Sequence, residues 1–555
     1  MPSTHAWASV RRLQRLAWWL LVLALACRDP DGGPRYRGAG AAQPRSGGTL
    51  TFSAPANLAT LDPAIAYDEI SAFCLHHVYD TLVGYPAVGT PAAQLGLVPR
   101  LASSWTISPD GRVYRFQLRP GVTFSDGTPL SASDFAYAWR RVLRTPESPF
   151  PAFLAPIEGA AAYAAGTRDD VPGLRAEPGV LELRLIRPDA AFLFVLAMPF
   201  STPVREAIVT ANAGDLRRAV VGTGAFVVAE WREGEQLVLA RNPHHWDAPR
   251  PYLDRLVFRE NLPRGSAFLG FTRGELDVVD RLSGPDWLAI SGRPGWRPYV
   301  HVVPQLSTFG ARLDVRRPPF DDVRVRRALN YAVDKSAQVR ALHGLAVPAH
   351  GLLPPAMLGR DEALAPYPHD PARARTLLAE AGYPDGLDLE YVTVKEEYAE
   401  RLAQLLQADL AAVGVRVRIS VLSFATYLEA TAAVDGPPFS YTSWLMDYPD
   451  PSNFLDVRFH SKFVGASNDS GYANPELDRV LDEARTLDDP VARAVRYRRA
   501  ERILHDDAPW IWGYHPQIAV VVQPYVRDAV PHPVWVHDYT AAWLDLGPAG
   551  QRLRR

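Results

Sequence analysis

Apolar and polar positions alternate most clearly where Tyr114, Phe116 and Leu118 are separated by Arg115, Gln117 and Arg119. A period of two puts one side of an extended strand against a core and the other in water. Pro109-Asp110-Gly111 ahead of it is a type I turn signal, and Phe124-Ser125-Asp126-Gly127 is a second turn. The chain then reaches Ser131-Ala132-Ser133-Asp134, a capping-box start for a helix predicted over Ala132–Leu143. The same grammar recurs downstream. Val415, Val417, Ile419 and Val421 alternate with Arg416, Arg418 and Ser420, directly after a helix predicted over Glu396–Val413 and closed by Gly414. Asp370-Pro371 to Ala381, followed by Gly382, carries the N-cap, first-turn proline and terminal glycine of a complete short helix. Further helices are predicted over Glu69–Leu82, from Phe320-Asp321-Asp322, from Asn474-Pro475, and from Asp489-Pro490 to His505. Gly222 and Gly224 are expected to free the backbone for a tight turn. Gly234 makes a second turn, before a strand through Leu237 to Ala240 that ends at Asn242-Pro243. Helices feeding strands argue for α/β lobes, and the lack of a fixed-period repeat argues against a solenoid.

At 555 residues the chain is too long for one core, and at ~150 residues per domain it holds three or four folding units. A net charge of -2 gives no bulk basic bias, so nucleic acid is excluded as an expected partner. Arg11, Arg12 and Arg15 precede an apolar stretch, Leu16–Ala26, that is shorter than the ~20 residues needed to span a bilayer. This is the form of an export signal. It ends in Leu23-Ala24-Leu25-Ala26-Cys27, which resembles a bacterial lipobox with Ala24 where leucine is commoner. Cys27 is therefore expected to be lipidated, and residues 27–46 to form a flexible tether of roughly 60 Å at full extension. That places the protein in the bacterial envelope, in the periplasm or at the cell surface, as a membrane-anchored lipoprotein. An ordinary signal cut with Cys27 incidental is the alternative. The only other cysteine, Cys74, then has no internal partner and reads as a small buried hydrophobe.

No Gly-x-Ser-x-Gly, His-Glu-x-x-His or Cys-x-x-Cys motif occurs, so neither an enzyme nor a bound cofactor or metal is expected. In the adjacent pairs His76-His77 and His244-His245 the side chains diverge, and they are expected at the surface or behind a site. The best ligand site is Trp444-Leu445-Met446-Asp447-Tyr448-Pro449-Asp450-Pro451, a strand end and a proline-punctuated loop. A desolvated aspartate there can pair with an ammonium while aromatics pack apolar parts of a ligand. By themselves, Asp447 and Asp450 read first as turn formers before prolines.

The run Val221–Asp247 has an order of turn, strand, Arg241-Asn242-Pro243 and Trp246-Asp247 that resembles the solute-binding proteins of peptide-importing ABC transporters, the oligopeptide- and dipeptide-binding family. The Gly47–Phe52, Leu61-Asp62-Pro63, Leu101–Leu130 and Pro319–Arg326 blocks are similar to that family as well. The resemblance implies a two-lobed α/β fold of the periplasmic-binding-protein kind, type II, with an extra subdomain in the first lobe. On that pattern residues 1–26 are the signal peptide, 47–87 and 204–303 the first lobe, 88–203 the extra subdomain, 304–514 the second lobe, and 515–555 a return to the first lobe. It implies peptide capture between two closing lobes and delivery to an ABC permease and ATPase complex, by a protein acting as a monomer. In peptide-binding members an aspartate at the position of Asp447 pairs with the peptide's α-amino group. Trp444, Leu445 and Met446 are then expected to offer backbone groups to the ligand, next to Tyr448. By the same analogy Tyr67 and Asp68 face the cleft, although Asp68 also reads as a helix cap. Leu306–Leu313 is similar to the family's crossing between lobes. Arg312 and Asp314 stand there where small or amide residues are common, so the ligand polarity of other members does not carry over to this chain. Nickel chelate, haem or oligosaccharide binding, and a sensing or chaperone role without transport, remain open on the sequence.

Overall fold

The computed structural model describes residues 33–86, 95–433, 435–534 and 538–554. The expected signal peptide, Cys27 and the first residues of the expected tether lie outside these. In the first lobe, Phe226–Arg232 and Gln236–Arg241 form a hairpin turned at Gly234, whose φ of 76° is left-handed. The sheet continues through Arg255–Arg259 to Thr49–Ser53, which pairs parallel to it with Leu50 opposite Leu256. Leu50, Phe52, Leu237, Leu239 and Phe258 make the core with the helix Glu69–Val78. Cys74, 1% exposed, is part of it.

Two expectations are corrected here. Gly222 and Gly224 do not adopt positive φ. They are needed because their backbone lies against the end of the Glu69–Val78 helix, where a Cβ on Gly222 would sit 1.9 Å from the Val78 carbonyl oxygen and one on Gly224 2.6 Å from that of His77. The same contact stops the helix at Val78 rather than Leu82. Tyr79 is extended, and the Asp80 N–H donates to Thr223 Oγ1 (3.1 Å) rather than continuing the helical ladder. Asp80 is buried and accepts from Arg100 (2.6 Å) and the Trp246 indole (2.9 Å).

The antiparallel sheet Ala102–Ile107, Val113–Leu118, Val180–Arg184 and Leu174–Glu177 carries the predicted alternation, with Tyr114 and Phe116 buried. Its cover is the helix Ala132–Arg144, whose capping box joins Ser131 and Asp134 and whose Trp139 enters the core. An eight-stranded sheet runs from the first lobe into the second, and in its second-lobe part Leu387–Val394 and Val415–Leu422 run parallel, joined by the helix Glu397–Ala411. Asp370, Asn474 and Asp489 cap the helices Pro371–Glu380, Pro475–Thr486 and Pro490–Asp507 through their side chains.

The 13-residue strand Trp510–Val522 links the lobes. Its first half pairs with Ser307–Leu313 and its second with Val300–Pro304. Trp510 and Trp512 are buried in the second lobe, whereas Ile518, Val520 and Val522 are buried in the first. The boundary expected between residues 514 and 515 falls inside this strand.

One member of each histidine pair is buried, while His76 is half-buried and His244 lies at the surface as expected. His77 is buried, with Nδ1 on the Phe73 carbonyl (3.0 Å) and Nε2 accepting the Tyr539 N–H (3.2 Å). His245 is buried beside Asp80, 3.8 Å away. Each is used inside the first lobe. Among the described residues no group of His, Cys, Asp and Glu could hold a metal ion, and no helix is long and apolar enough to cross a membrane.

Candidate ligand-binding cleft

The strand Phe439–Leu445 pairs antiparallel with Ser307–Leu313, Leu445 opposite Ser307. One more bond, from the Met446 N–H to the Leu306 carbonyl (3.1 Å), carries the pairing past the strand end. The chain then turns into the helix Pro451–Phe459. Asp450 caps that helix at the Ser452 N–H (3.0 Å) and is held by the Arg493 guanidinium at 2.9 Å, both side chains being buried. Asp450 is thus a framework residue.

Asp447 is placed differently. Asn453, on the first turn of the capped helix, accepts the Asp447 N–H (2.8 Å) and donates its amide to Oδ2 (2.8 Å). From the first lobe, 380 residues away in sequence, the Tyr67 hydroxyl donates to Oδ1 at 2.6 Å. Burial raises the Asp447 pKa above the usual carboxylate range, and the bonds from Tyr67 and Asn453 act against that rise. Burial and the adjacent carboxylate push the Tyr67 phenol well up, so it remains a donor. Among the described residues no Arg, Lys or His pairs with Asp447.

A cavity of about 490 Å³ opens at this carboxylate. Tyr67, Phe73 and Phe150 wall it from the first lobe and its subdomain, and Leu445, Met446 and Asp447 from the second. The Tyr67 ring meets Phe150 edge-on at 5.7 Å. Arg264, Arg281 and Gln305 line the passage to a further cavity of about 300 Å³. Arg281 is paired with Glu69 and lies 3.5 Å from Asp280; burial pulls its pKa down, and the two carboxylates outweigh that and raise it above the usual guanidinium value.

Of the residues expected at the site, Tyr67, Leu445, Met446 and Asp447 line this cavity. Asp68 does not. Its carboxylate caps the Glu69–Val78 helix at the Ser71 N–H (2.9 Å). Trp444 lies behind Asp447, its indole N–H on Asn453 Oδ1 (3.3 Å) and the Arg458 guanidinium over its ring at 5.2 Å. It positions Asn453. Tyr448 is 4% exposed, packed in the subdomain core with Phe153 at 6.3 Å. Arg312 and Asp314 do not line the cavity either. Arg312 is buried on Ser440 Oγ (2.8 Å) and the carbonyls of Asp469 and Pro437 (both 2.6 Å), and Asp314 holds Arg316 at 2.8 Å. The departure at these two positions therefore serves the second lobe's packing. Asn453, Arg264 and Arg281 were not anticipated. Nothing in their local sequence separates them from other polar residues at helix starts and loops.

A second polar bridge joins the subdomain to the second lobe. Arg485 donates to Asp189 Oδ2 (2.8 Å) and Asp456 Oδ2 (3.0 Å), and its carbonyl accepts the Ala190 N–H (2.9 Å).

The chain is 30% identical over 524 residues to the di/tripeptide-binding protein 2 of Pseudomonas aeruginosa, covering 91% of this chain and 96% of that protein. It is also 30% identical to the haem-binding protein A of Haemophilus influenzae, covering 93% and 96%. Among solved structures, a clavulanic acid biosynthesis oligopeptide-binding protein 2 superposes with a TM-score of 0.83 at 26% identity, covering 92% of this chain and 99% of that one. A Helicobacter pylori periplasmic binding protein, DppA, solved with the peptide STSA, superposes at 0.74 with 26% identity, covering 90% and 99%. These likenesses span both lobes of the α/β fold described above. The family model for the bacterial extracellular solute-binding proteins, family 5, middle region, matches residues 96–465, and the chain belongs to that family.

Proposed function

We propose that this protein is the extracytoplasmic solute-binding component of an ABC importer, and that it captures short peptides with a free amino terminus for delivery to a membrane permease. The observation that carries the peptide reading is Asp447, a carboxylate lining an interlobe cavity, which accepts from two neutral donors, Tyr67 and Asn453, and is paired with no cation among the described residues. Desolvated carboxylates are stable when paired, and a peptide's α-ammonium supplies the missing charge and donors. Tyr67 comes from one lobe and Asp447 from the other, so a ligand bound between them favours the closed arrangement. A cavity of about 490 Å³ lies within the range of small-ligand sites. Relatives named for di/tripeptide and oligopeptide binding support this reading. Haem, the ligand named for another relative, carries its own carboxylates, which an unpaired aspartate at the cleft disfavours. The export signal and Cys27 support a lipid-anchored protein at the bacterial envelope, working as a monomer with its permease and ATPase.

Calorimetry on Asp447→Asn tests the site. Free-amine peptides are expected to lose about 2–5 kcal/mol of binding, while N-acetylated versions change little. Equal losses for both would remove the amine role.

A further inference from the structure

The cavity of about 300 Å³ beyond Arg264, Arg281 and Gln305 has an unusual wall. Phe309 and Tyr514 stand opposite each other on paired strands, and their rings stack at 5.1 Å and 10°. A register shift between Phe309 and Gly310 brings Tyr514 to the same side of the sheet. Tyr441, on the neighbouring strand, tilts 56° to the Phe309 ring at 6.1 Å. Tyr398 lines the same space from the helix Glu397–Ala411. At the N-cap of that helix stands Glu396, exposed, with no side-chain capping bond and no ion pair among the described residues. After burial, the Glu396 carboxylate is among the influences that push the Tyr441 and Tyr514 phenols up, so its field reaches both rings.

We propose that this aromatic cavity, edged by Glu396, is a subsite for a cationic side chain of the bound peptide. The inference rests on the peptide reading and adds a preference to it. Aromatic faces attract a cation through their ring quadrupoles, and a carboxylate at their edge adds a direct counter-charge. Arg281 at the passage is neutralised by Glu69 and Asp280. Arg264, which has no described partner, lies at the entrance and suits the peptide's carboxylate end. The spacing is consistent. Ser443, opposite Phe309, precedes Asp447 by four positions, about 13 Å if extended. An extended peptide anchored at Asp447 advances roughly 3.5 Å per residue, so a long side chain on its second or third residue reaches the rings.

The test uses calorimetry on the whole exported protein with Ala-Ala-Ala, Ala-Lys-Ala, Ala-Ala-Lys and the norleucine counterparts of the two lysine peptides. At one of the two positions lysine is expected to bind about tenfold tighter than norleucine. In Glu396→Gln that advantage falls below about threefold while Ala-Ala-Ala is unchanged, as fits an exposed residue that caps nothing with its side chain. Phe309→Leu, which keeps an apolar wall, is expected to lower the lysine peptide's affinity and leave the norleucine peptide's in place. Norleucine equal to lysine at both positions, or a uniform loss across all peptides in Glu396→Gln, overturns the subsite and leaves the amine anchor standing. Failure of every peptide to bind the unmodified protein overturns both.

Discussion

Replacing Asp189 by asparagine removes one charge from a bridge that ties the extra subdomain to the second lobe. Asp189 is 3% exposed, accepts the Arg485 guanidinium at 2.8 Å through Oδ2 and the Ala191 N–H at 3.1 Å through Oδ1. An asparagine has one oxygen for these two donors. Either the guanidinium or the Ala191 N–H then faces an NH2 group, and a charge-assisted bond becomes a neutral or broken one. The loss is about 1–3 kcal/mol. Arg485 keeps Asp456 at 3.0 Å in the variant, so no unpaired cation is left behind. The loss falls on the closed state alone, because separation of the lobes returns residue 189 to water. The closed-to-open ratio and the apparent peptide affinity should both fall by about 5- to 150-fold. Small-angle scattering of the unliganded protein should report a larger radius of gyration, and calorimetry the weaker binding. Thermal unfolding of the second lobe should change little. Unaltered scattering and affinity, with a loss of overall stability instead, would show that Asp189 and Arg485 belong to one rigid body and that the bridge has no part in closure.

Two further outcomes follow from other sites. Glu501 is buried, its oxygens accept the Leu353 (2.9 Å) and Asp361 (2.7 Å) N–H groups, and burial raises its pKa to about 7 against those bonds. The folded state therefore holds a proton that the unfolded chain releases near pH 4.5, so the Glu501 contribution to stability declines as pH rises from about 4.5 to about 7. In Glu501→Gln this part of the pH dependence should vanish, and denaturant unfolding at pH 5 and 7.5 should show the gap between the two proteins narrowing at the higher pH; a constant gap counts against it. Cys27→Ser should shift the exported protein from the membrane to the soluble fraction, and unchanged fractionation would mean that Cys27 is not the anchor.

Elements governed by neighbours in sequence were legible from the chain. The capping box at Ser131 and Asp134, the Asp370-Pro371 helix start and the alternation at Tyr114 and Phe116 depend on spacings of two to four residues, and they form as read. The two-lobed α/β fold was legible too, from a family resemblance spread along the chain. Helix Glu69–Val78 ends earlier than its own pattern implies because Gly222, Thr223 and Gly224 meet it from more than 140 residues away. No local rule contains that contact.

Asp447 and Asp450 make the same point at the cleft. Both precede a proline-rich turn, and their local grammar is nearly identical. Arg493 and the helix start claim Asp450, while Asp447 receives Asn453 on one side and Tyr67 on the other and keeps one face to the cavity. Asp68 and Tyr67 diverge in the same way, one spent on its own helix and the other reaching across the cleft. The sequence by itself determined helix caps and strand faces, and through the family resemblance the fold. Only the tertiary structure decided which polar side chains face the cavity, because that depends on whether partners from distant segments satisfy them first, and such pairings leave no period in the chain.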